Sequence, residues 1–367
     1  MTTEILVERR GNAGLITLNR PKALNALSLQ MVRDITAALT AWRDDPHVAV
    51  VAIRGSNKVG KPGTPEALFG GFCAGGDIRF FHTAKLAEDK ALDDFFTEEY
   101  SLNHLIHNYP KPYIAFMDGV VMGGGMGLSQ GAKLRIVTEH TKMAMPETNI
   151  GLFPDVGGGY FLSRCPGHVG EYLALTGEVF GADEAIDYGL ADVKVEAASL
   201  PGVWDAFGVA SFNEWVAINL GTLSPGKEVD TALKYPKINA YFGLLRVKHI
   251  VDSLEKAKDD VWAKKTAAML RKRSPLMLHV TLEQIRKARG MSLADDLRME
   301  RNIVHHCFHL RSDASSETIE GIRALAVDKD YAPKWSPKRI EDVKPGMADA
   351  FFVSPWTTDM HPLRSLR

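Results

Sequence analysis

The chain has little with which to cross-link itself. Its three cysteines, Cys73, Cys165 and Cys307, are odd in number and far apart. They offer neither a disulfide framework nor a Cys-x-x-Cys metal pair, and they fit a reducing compartment. Net charge is equally scarce, since 44 Lys and Arg face 45 Asp and Glu, leaving −1. No overall field draws in nucleic acid or a membrane surface, so an anionic ligand must be held by local Lys and Arg. Long apolar runs are missing as well. The longest uncharged stretch, Gly119 to Ala132, is glycine-rich and falls short of the roughly 20 residues of a membrane span. Met1 to Arg10 lacks both the apolar run of a secretion signal and the acid-poor pattern of a transit peptide. A cytoplasmic protein is expected. The phosphate-cradling patterns G-x-G-x-x-G and Walker A are absent too, which removes the common nucleotide folds.

What is present is ordinary globular material, 45% hydrophobic and 24% charged over 367 residues. At roughly 150 residues per domain, that length suggests two domains or one large core with an appendage. Ile5 to Arg9 and Leu15 to Leu18, joined through Gly11 to Gly14, read as a hairpin. Ser28 caps a helix with Leu29, Val32, Ile35, Leu39 and Trp42 at helical spacing, and His47 to Arg54 reads as a buried parallel strand. Gly55 to Gly71 is an aperiodic loop. Further strands are expected at Tyr113 to Met117, Leu134 to Val137 and Val193 to Val195, and helices at Leu86 to Tyr109, Gly157 to Leu175 and Ala182 to Tyr188. Beyond about residue 200 strand signals fade. Val203 to Leu220, Leu244 to Lys265, Leu276 to Arg289, Leu293 to Phe308 and Glu317 to Val327 all read as helix. The expected organisation is an α/β core over 1–200 and a mostly α-helical region over 201–367.

Chemistry concentrates between Met122 and Asp155. A glycine turn, Met122-Gly123-Gly124-Gly125-Met126-Gly127, is followed by Met145-Pro146-Glu147-Thr148 and then by Phe153-Pro154-Asp155 before a second glycine turn. Bare backbone amides stabilise an oxyanion, and a placed carboxylate moves a proton or attacks, so the pattern suits acyl chemistry. Phe72-Cys73-Ala74-Gly75-Gly76-Asp77 is another small-residue turn. Each piece alone has a simpler reading. The glycines form a tight turn, Asp77 caps a helix, and Glu147 or Asp155 sits on a surface turn. Two carboxylates within eight residues, flanked by Leu152 and Phe153, favour a buried site with raised pKa values.

Two other motifs are weaker. Gly127-Leu128-Ser129-Gln130-Gly131 matches the nucleophile elbow, yet Ser129 falls inside a helix and not at a strand-to-helix turn, so the match is accidental. His305, His306 and His309 share one helix, with His305 and His309 at i, i+4. With no third ligand nearby in sequence they read as a surface or interfacial cluster, and no metal is expected.

Asn19-Arg20-Pro21-Lys22-Ala23-Leu24-Asn25-Ala26-Leu27, Phe72 to Asp77, the 122–127 turn and Met145-Pro146-Glu147 together resemble the crotonase (enoyl-CoA hydratase/isomerase) superfamily over roughly residues 5 to 195. The resemblance implies a spiral of ββα units with a helical C-terminal region, and an acyl-CoA ligand whose thioester oxygen lies between the amides of Gly76 and Gly124. It places CoA along Asn19 to Leu27, with Arg20 and Lys22 as phosphate contacts. Ala23, Ala74, Gly76 and Asp77 complete the binding segments. A homo-oligomer is the assembly it implies, without nucleic acid, membrane, metal or redox cofactor, CoA arriving as part of the substrate.

One position separates the branches of the superfamily. Hydratases resembling this chain carry a second glutamate where Gly127 stands, and a glycine where Asp155 stands. Asp155, Phe96-Thr97-Glu98-Glu99-Tyr100, Gly157-Gly158-Gly159-Tyr160-Phe161, Glu320 to Ala324 and Asp328-Lys329-Asp330 are similar to the 3-hydroxyisobutyryl-CoA hydrolase branch and extend the resemblance to about residue 335. That branch implies thioester hydrolysis at a site lined by Glu99, Gly124, Glu147 and Asp155. Glu147 activates water or attacks to form an anhydride, Asp155 orients water or the catalytic carboxylate, and Glu99 contacts the substrate hydroxyl. The alternatives are hydration or isomerisation on the same fold, and a non-catalytic scaffold. The neutral charge and intact carboxylates argue against the scaffold.

Overall fold

A computed structural model describes residues 4–57, 69–209, 234–312 and 315–367. In chain order the strands are β1 (Ile5–Arg10), β2 (Ala13–Leu18), β3 (Val50–Gly55), β4 (Tyr113–Met117), β5 (Val120–Met122), β6 (Leu134–Val137), β7 (Lys142–Ala144) and β8 (Val193–Lys194). The helices are α1 (Leu29–Arg43), α2 (Ile78–Leu86), α3 (Ala91–His107), α4 (Gly124–Gln130), α5 (Gly158–Leu162), α6 (Val169–Thr176), α7 (Ala182–Asp187) and α8 (Leu200–Ala206). After them come α9 (Pro236–Phe242), α10 (Val247–Lys256), α11 (Val261–Leu270), α12 (Pro275–Ala288), α13 (Leu293–His309) and α14 (Glu317–Ile322).

The fold is α/β, with ββα units winding a mainly parallel sheet and helices dominating the C-terminal half. The expected hairpin is β1–β2, antiparallel, and β2, β3, β4, β6 and β8 then run parallel in the order β1-β2-β3-β4-β6-β8. β5 and β7 form a second, parallel pair. These three-residue strands escaped sequence reading because they are too short to show a period. β2, β3 and β4 are buried at every position, as expected of central parallel strands. Edge strand β1 is mostly exposed and carries Glu8, Arg9 and Arg10, charges that discourage pairing with another chain.

By packing, the chain divides into two units, one of 1–77, 101–144 and 179–227, the other of 78–100, 145–178 and 228–367. This differs from the boundary expected near residue 200. That boundary marks where strands stop, whereas two segments of the α/β half, 78–100 and 145–178, pack with the later helices. The first unit holds both sheets. One sheet face buries Leu15, Ala52, Ile114 and Phe116 under Trp204 and Phe207 from the α8 region. Arg54 stacks 4.0 Å over the Trp204 ring. α1 starts as expected, with the Ser28 side chain accepting from the Met31 amide, and buries Val32, Ile35, Leu39 and Trp42. In the second unit α12 packs on α5 and α6, and α14 on the 3-10 turn Glu147–Ile150.

Several long helices of the sequence reading are shorter pieces. Leu244 to Lys265 is broken at Ala257–Asp260, where Asp260 caps α11 by accepting from the Trp262 and Ala263 amides. Leu86 to Tyr109 begins later, at α3, and Gly157 to Leu175 is interrupted between α5 and α6. α8 covers the start of Val203 to Leu220, while 210–220, like most of the Gly55 to Gly71 loop, lies outside the described residues. Ser129 is buried inside α4 and bonds the Met126 carbonyl at 3.2 Å, as a helical serine does.

The segment 19–27 is held by Asn25, whose φ of 55° is left-handed. The buried Asn25 amide donates to the carbonyls of Ser56 (3.0 Å) and Gly71 (2.7 Å), and its oxygen accepts from the Arg20 amide (2.9 Å). Asn25→Ala leaves these buried groups unpaired and is expected to lower stability by about 2 kcal/mol, read as a lower urea midpoint at unchanged m.

Candidate active site

In the first unit the two glycine turns meet. The Leu27 amide donates to the Gly75 carbonyl (2.8 Å), and the Asp77 amide donates to the Leu27 carbonyl (3.0 Å). This bridge uses the groups on either side of residue 76 and leaves the Gly76 N–H outside it. Cys73 and β5 are stitched together by Cys73 N–H to Val120 (2.9 Å) and Met122 N–H to Cys73 (2.9 Å). Gly124 opens α4, so its N–H belongs to the first turn, where no intrahelical acceptor exists. A Cβ at Gly75 would stand 3.6 Å from the Gly124 nitrogen, and one at Gly125 only 2.4 Å from the Cys73 carbonyl. The approach of the two backbones therefore requires glycine at 125.

The other binding-segment residues lie beside these turns. The Ala74 amide donates to Leu24 and the Ala23 amide to Arg20. Arg20 is engaged within the protein: its guanidinium contacts Asp77 (2.9 Å), Glu4 (3.1 Å) and the Ala26 carbonyl (2.7 Å). Asp77 thus pairs with Arg20, and Lys22 is the exposed cation of the segment.

In the second unit Glu99, Glu147 and Asp155 form one buried cluster of carboxyl groups. Glu99 comes from α3, Glu147 opens the 3-10 turn 147–150, and Asp155 precedes the glycine turn before α5. Tyr100 donates its hydroxyl to Asp155 at 2.8 Å. Glu99 Oε1 and Glu147 Oε2 are buried without a hydrogen-bond partner among the described residues. Burial pushes the Glu99 carboxyl well above its usual range, with Asp155 and Glu147 adding repulsion. Burial and Asp155 do the same to Glu147. Asp155 is raised by burial to about 6, held from going higher by the Tyr100 hydroxyl. All three carboxyl groups thus hold their protons above the ordinary carboxylate range, and as interacting buried acids they titrate together. This is the arrangement that makes an acid and a base from chemically similar groups.

The loop bearing Asp155 is fixed by residues that the sequence reading passed over. Val156 has a φ of 58°, a strained conformation for a β-branched residue. α13 secures the loop through two buried acids. Glu300 accepts from the Gly157 (2.7 Å) and Gly159 (2.9 Å) amides, and Asp296 from the Tyr160 amide (2.8 Å). Gln284 on α12 donates to both the Pro154 carbonyl and Glu300. Burial raises the Asp296 carboxyl to about 7, and burial with Asp296 beside it raises Glu300. A signal was available: Asp296 and Glu300 lie on the same helix face as apolar Leu297, Ile303, Val304 and Cys307, where a carboxylate is out of place unless something donates to it.

Comparison with known proteins gives the family and the fold. A profile of the enoyl-CoA hydratase/isomerase family matches residues 13–352. The 3-hydroxyisobutyryl-CoA hydrolase, mitochondrial, of Xenopus tropicalis is 39% identical over 365 residues, covering 97% of this chain and 90% of its own. A crystal structure of a carnitinyl-CoA dehydratase from Mycobacterium thermoresistibile superposes with a TM-score of 0.85 at 34% identity, covering 100% of both chains. One of an enoyl-CoA hydratase from Rhodobacter sphaeroides 2.4.1 does so at 0.81 and 34%, covering 96% of this chain and 98% of its own. Among the described residues no helix is long and apolar enough to cross a membrane.

The raised carboxyl groups make a prediction about stability. Folded Asp155 holds its proton up to about 6 instead of 3.8, so the folded state binds more protons in that window. Its contribution to stability is present at low pH and is lost as pH rises through about 6. Asp155→Asn, which can still accept from Tyr100, is expected to melt higher than wild type at neutral pH and to show a weaker decline across this window. Calorimetry over a pH series reads both.

Proposed function

The chain belongs to the enoyl-CoA hydratase/isomerase family, in its 3-hydroxyisobutyryl-CoA hydrolase branch, and from that premise we propose how it acts. It is an acyl-CoA thioester hydrolase. It cleaves a short 3-hydroxyacyl-CoA of the 3-hydroxyisobutyryl type to the free hydroxy acid and CoA. The observation that carries the mechanism is the buried cluster Glu99–Glu147–Asp155, whose burial and mutual repulsion raise its carboxyl groups above the ordinary range.

In this reading the Gly76 and Gly124 amides donate to the thioester oxygen as negative charge grows on it, each such donor worth on the order of 3 kcal/mol of barrier. The ionised form of Glu147 takes a proton from water as the water oxygen bonds to the thioester carbon. The C–S bond then breaks, and the proton passes to the departing CoA sulfur. Attack by Glu147 itself, giving an anhydride that water opens, uses the same groups. Asp155, steadied by Tyr100, carries charge first and orients the water or Glu147. Glu99 meets the substrate hydroxyl. Lys22 attends the CoA phosphates, with Arg20 supporting the segment through Asp77. Ala23 and Ala74 line it with backbone. The reaction needs no metal or redox cofactor. Three buried cysteines far apart in sequence fit a reducing compartment, and "mitochondrial" is part of the relatives' names.

A second reading has one observation in its favour. Glu99 and Glu147 are both buried, with Glu147 repelling charge on Glu99, so acid and base for hydration are available without a side chain at Gly127. Thiol release from 3-hydroxyisobutyryl-CoA, set beside loss of enoyl absorbance from crotonyl-CoA, separates the two. Hydration without thiol release would sink the hydrolase reading.

Glu147→Gln is expected to lower kcat roughly 10²-fold or more while leaving CoA-ester binding nearly unchanged. The pH profile of kcat/KM should rise through the raised pKa values of the cluster, the lowest near about 6. Tyr100→Phe removes the bond that holds Asp155 down, so this limb should move to higher pH. An unmoved limb would take Asp155 out of the profile.

A further inference from the structure

The second unit holds another cluster of ligating side chains, apart from the carboxyl site. His305 and His309 project one helical turn apart from the same face of α13, and Asp93 of α3 meets them. One ligand atom from each of the three lies within 4.8 Å of the others. Asp93 Oδ1 is 3.6 Å from His305 Nδ1, and Asp93 Oδ2 is 3.4 Å from His309 Nε2. These separations exceed the usual N–H···O distance of about 2.7–3.2 Å. The Oδ2–His309 separation matches the edge of a tetrahedron built on metal bonds of about 2.0–2.1 Å, roughly 3.3–3.4 Å. His305 Nδ1 is buried with no hydrogen-bond partner among the described residues. At 3.6 Å the Asp93 carboxylate is an ion-pair partner for this nitrogen, beyond hydrogen-bond length.

The surroundings suit an ion. Arg301 binds Asp93 Oδ1 at 2.6 Å, fixing the carboxylate and leaving Oδ2 to face His309. Trp356 lies edge-on to the His305 ring with centroids 4.8 Å apart, holding its orientation. His306 is turned away and bonds the Val353 carbonyl at 2.6 Å, so it is not a ligand. A cavity of about 270 Å³, lined among others by Lys85, Glu88, Asp93 and His309, opens at the cluster. It provides an entry path and room for a water as fourth ligand.

We propose that Asp93, His305 and His309 form a binding site for one divalent transition-metal ion of the zinc or cobalt class. Two imidazoles and one carboxylate select such ions over magnesium and calcium, which prefer all-oxygen sites. The nearby Arg301 charge weakens the site but does not occupy Oδ2. The ion is structural. It ties α3, which carries Glu99 and Tyr100, to α13, which carries Asp296 and Glu300, and so stiffens the elements that hold the carboxyl cluster.

The test uses tag-free, chelator-treated full-length protein titrated with Co2+. The expected result is one ion per chain with visible absorption of low-coordinate Co2+, displaced by Zn2+ and untouched by Mg2+. The signal should be lost in His305→Gln and His309→Gln, and Zn2+ should raise Tm in wild type but not in His309→Gln. His309 is half-exposed, so that variant is the one least prone to misfold, and it decides the matter if His305→Gln does not fold. Absence of Co2+ absorption in the wild type, or equal binding by His309→Gln, would overturn the proposal and leave the three residues as an ion-pair network.

Discussion

Placing several carboxyl groups in an apolar interior is costly, because each loses water and repels the next. The second unit does this twice, at Glu99–Glu147–Asp155 and at Asp296–Glu300. The two clusters are compensated differently. Asp296 and Glu300 collect backbone amides that fix the loop at 157–160, while Asp296 Oδ1 is buried without a hydrogen-bond partner among the described residues. Glu99 and Glu147 each keep an oxygen unpartnered among the described residues, and Asp155 has a side-chain donor in Tyr100. The amide-bound acids of α13 are scaffold for the Glu99–Glu147–Asp155 cluster. An unsatisfied carboxyl in a dry pocket is poised to exchange a proton with whatever enters, which is what acyl chemistry requires.

The same division runs through the backbone. Where the chain must approach itself closely, as at Gly125 under the Cys73 carbonyl, it uses glycine. Where an L side chain is forced into a left-handed conformation, as at Asn25 and Val156, buried hydrogen bonds surround the position. Asn25 sits within the CoA-like segment and Val156 follows Asp155 directly. Strain thus appears beside the proposed chemistry and is held there by neighbours remote in sequence.

How much could be read from the sequence depended on how local each feature is. The hairpin, α1 with its Ser28 cap and the buried strands β3 and β4 carry their signals in consecutive residues. The glycine turns and the carboxylates Glu147 and Asp155 were legible because small residues and isolated charges among apolar ones are unusual. The assignment of a branch within the family rested on resemblance, through Gly127 and Asp155. Illegible were β5 and β7, too short for a period, and the break at Ala257–Asp260, hidden in residues that all tolerate helix. Glu300 and Asp296 went unnoticed because their partners lie more than a hundred residues away. Asp93 was missed as a companion to His305 and His309 for the same reason.

The interleaving of segments has a consequence for how the protein is made. Gly157 bonds Glu300 across 143 positions, and Ser274 donates its amide to Thr148 beside Glu147. Residues 78–100 and 145–178 therefore emerge from the ribosome long before the helices that receive them. Until α13 has been synthesised, the amides of Gly157, Gly159 and Tyr160 have no acids to donate to. The first half of the chain cannot finish folding ahead of the second, and a fragment ending near residue 200 would expose apolar surface in place of a smaller working protein. The nascent chain is thus most vulnerable to aggregation between the emergence of residue 178 and that of α13.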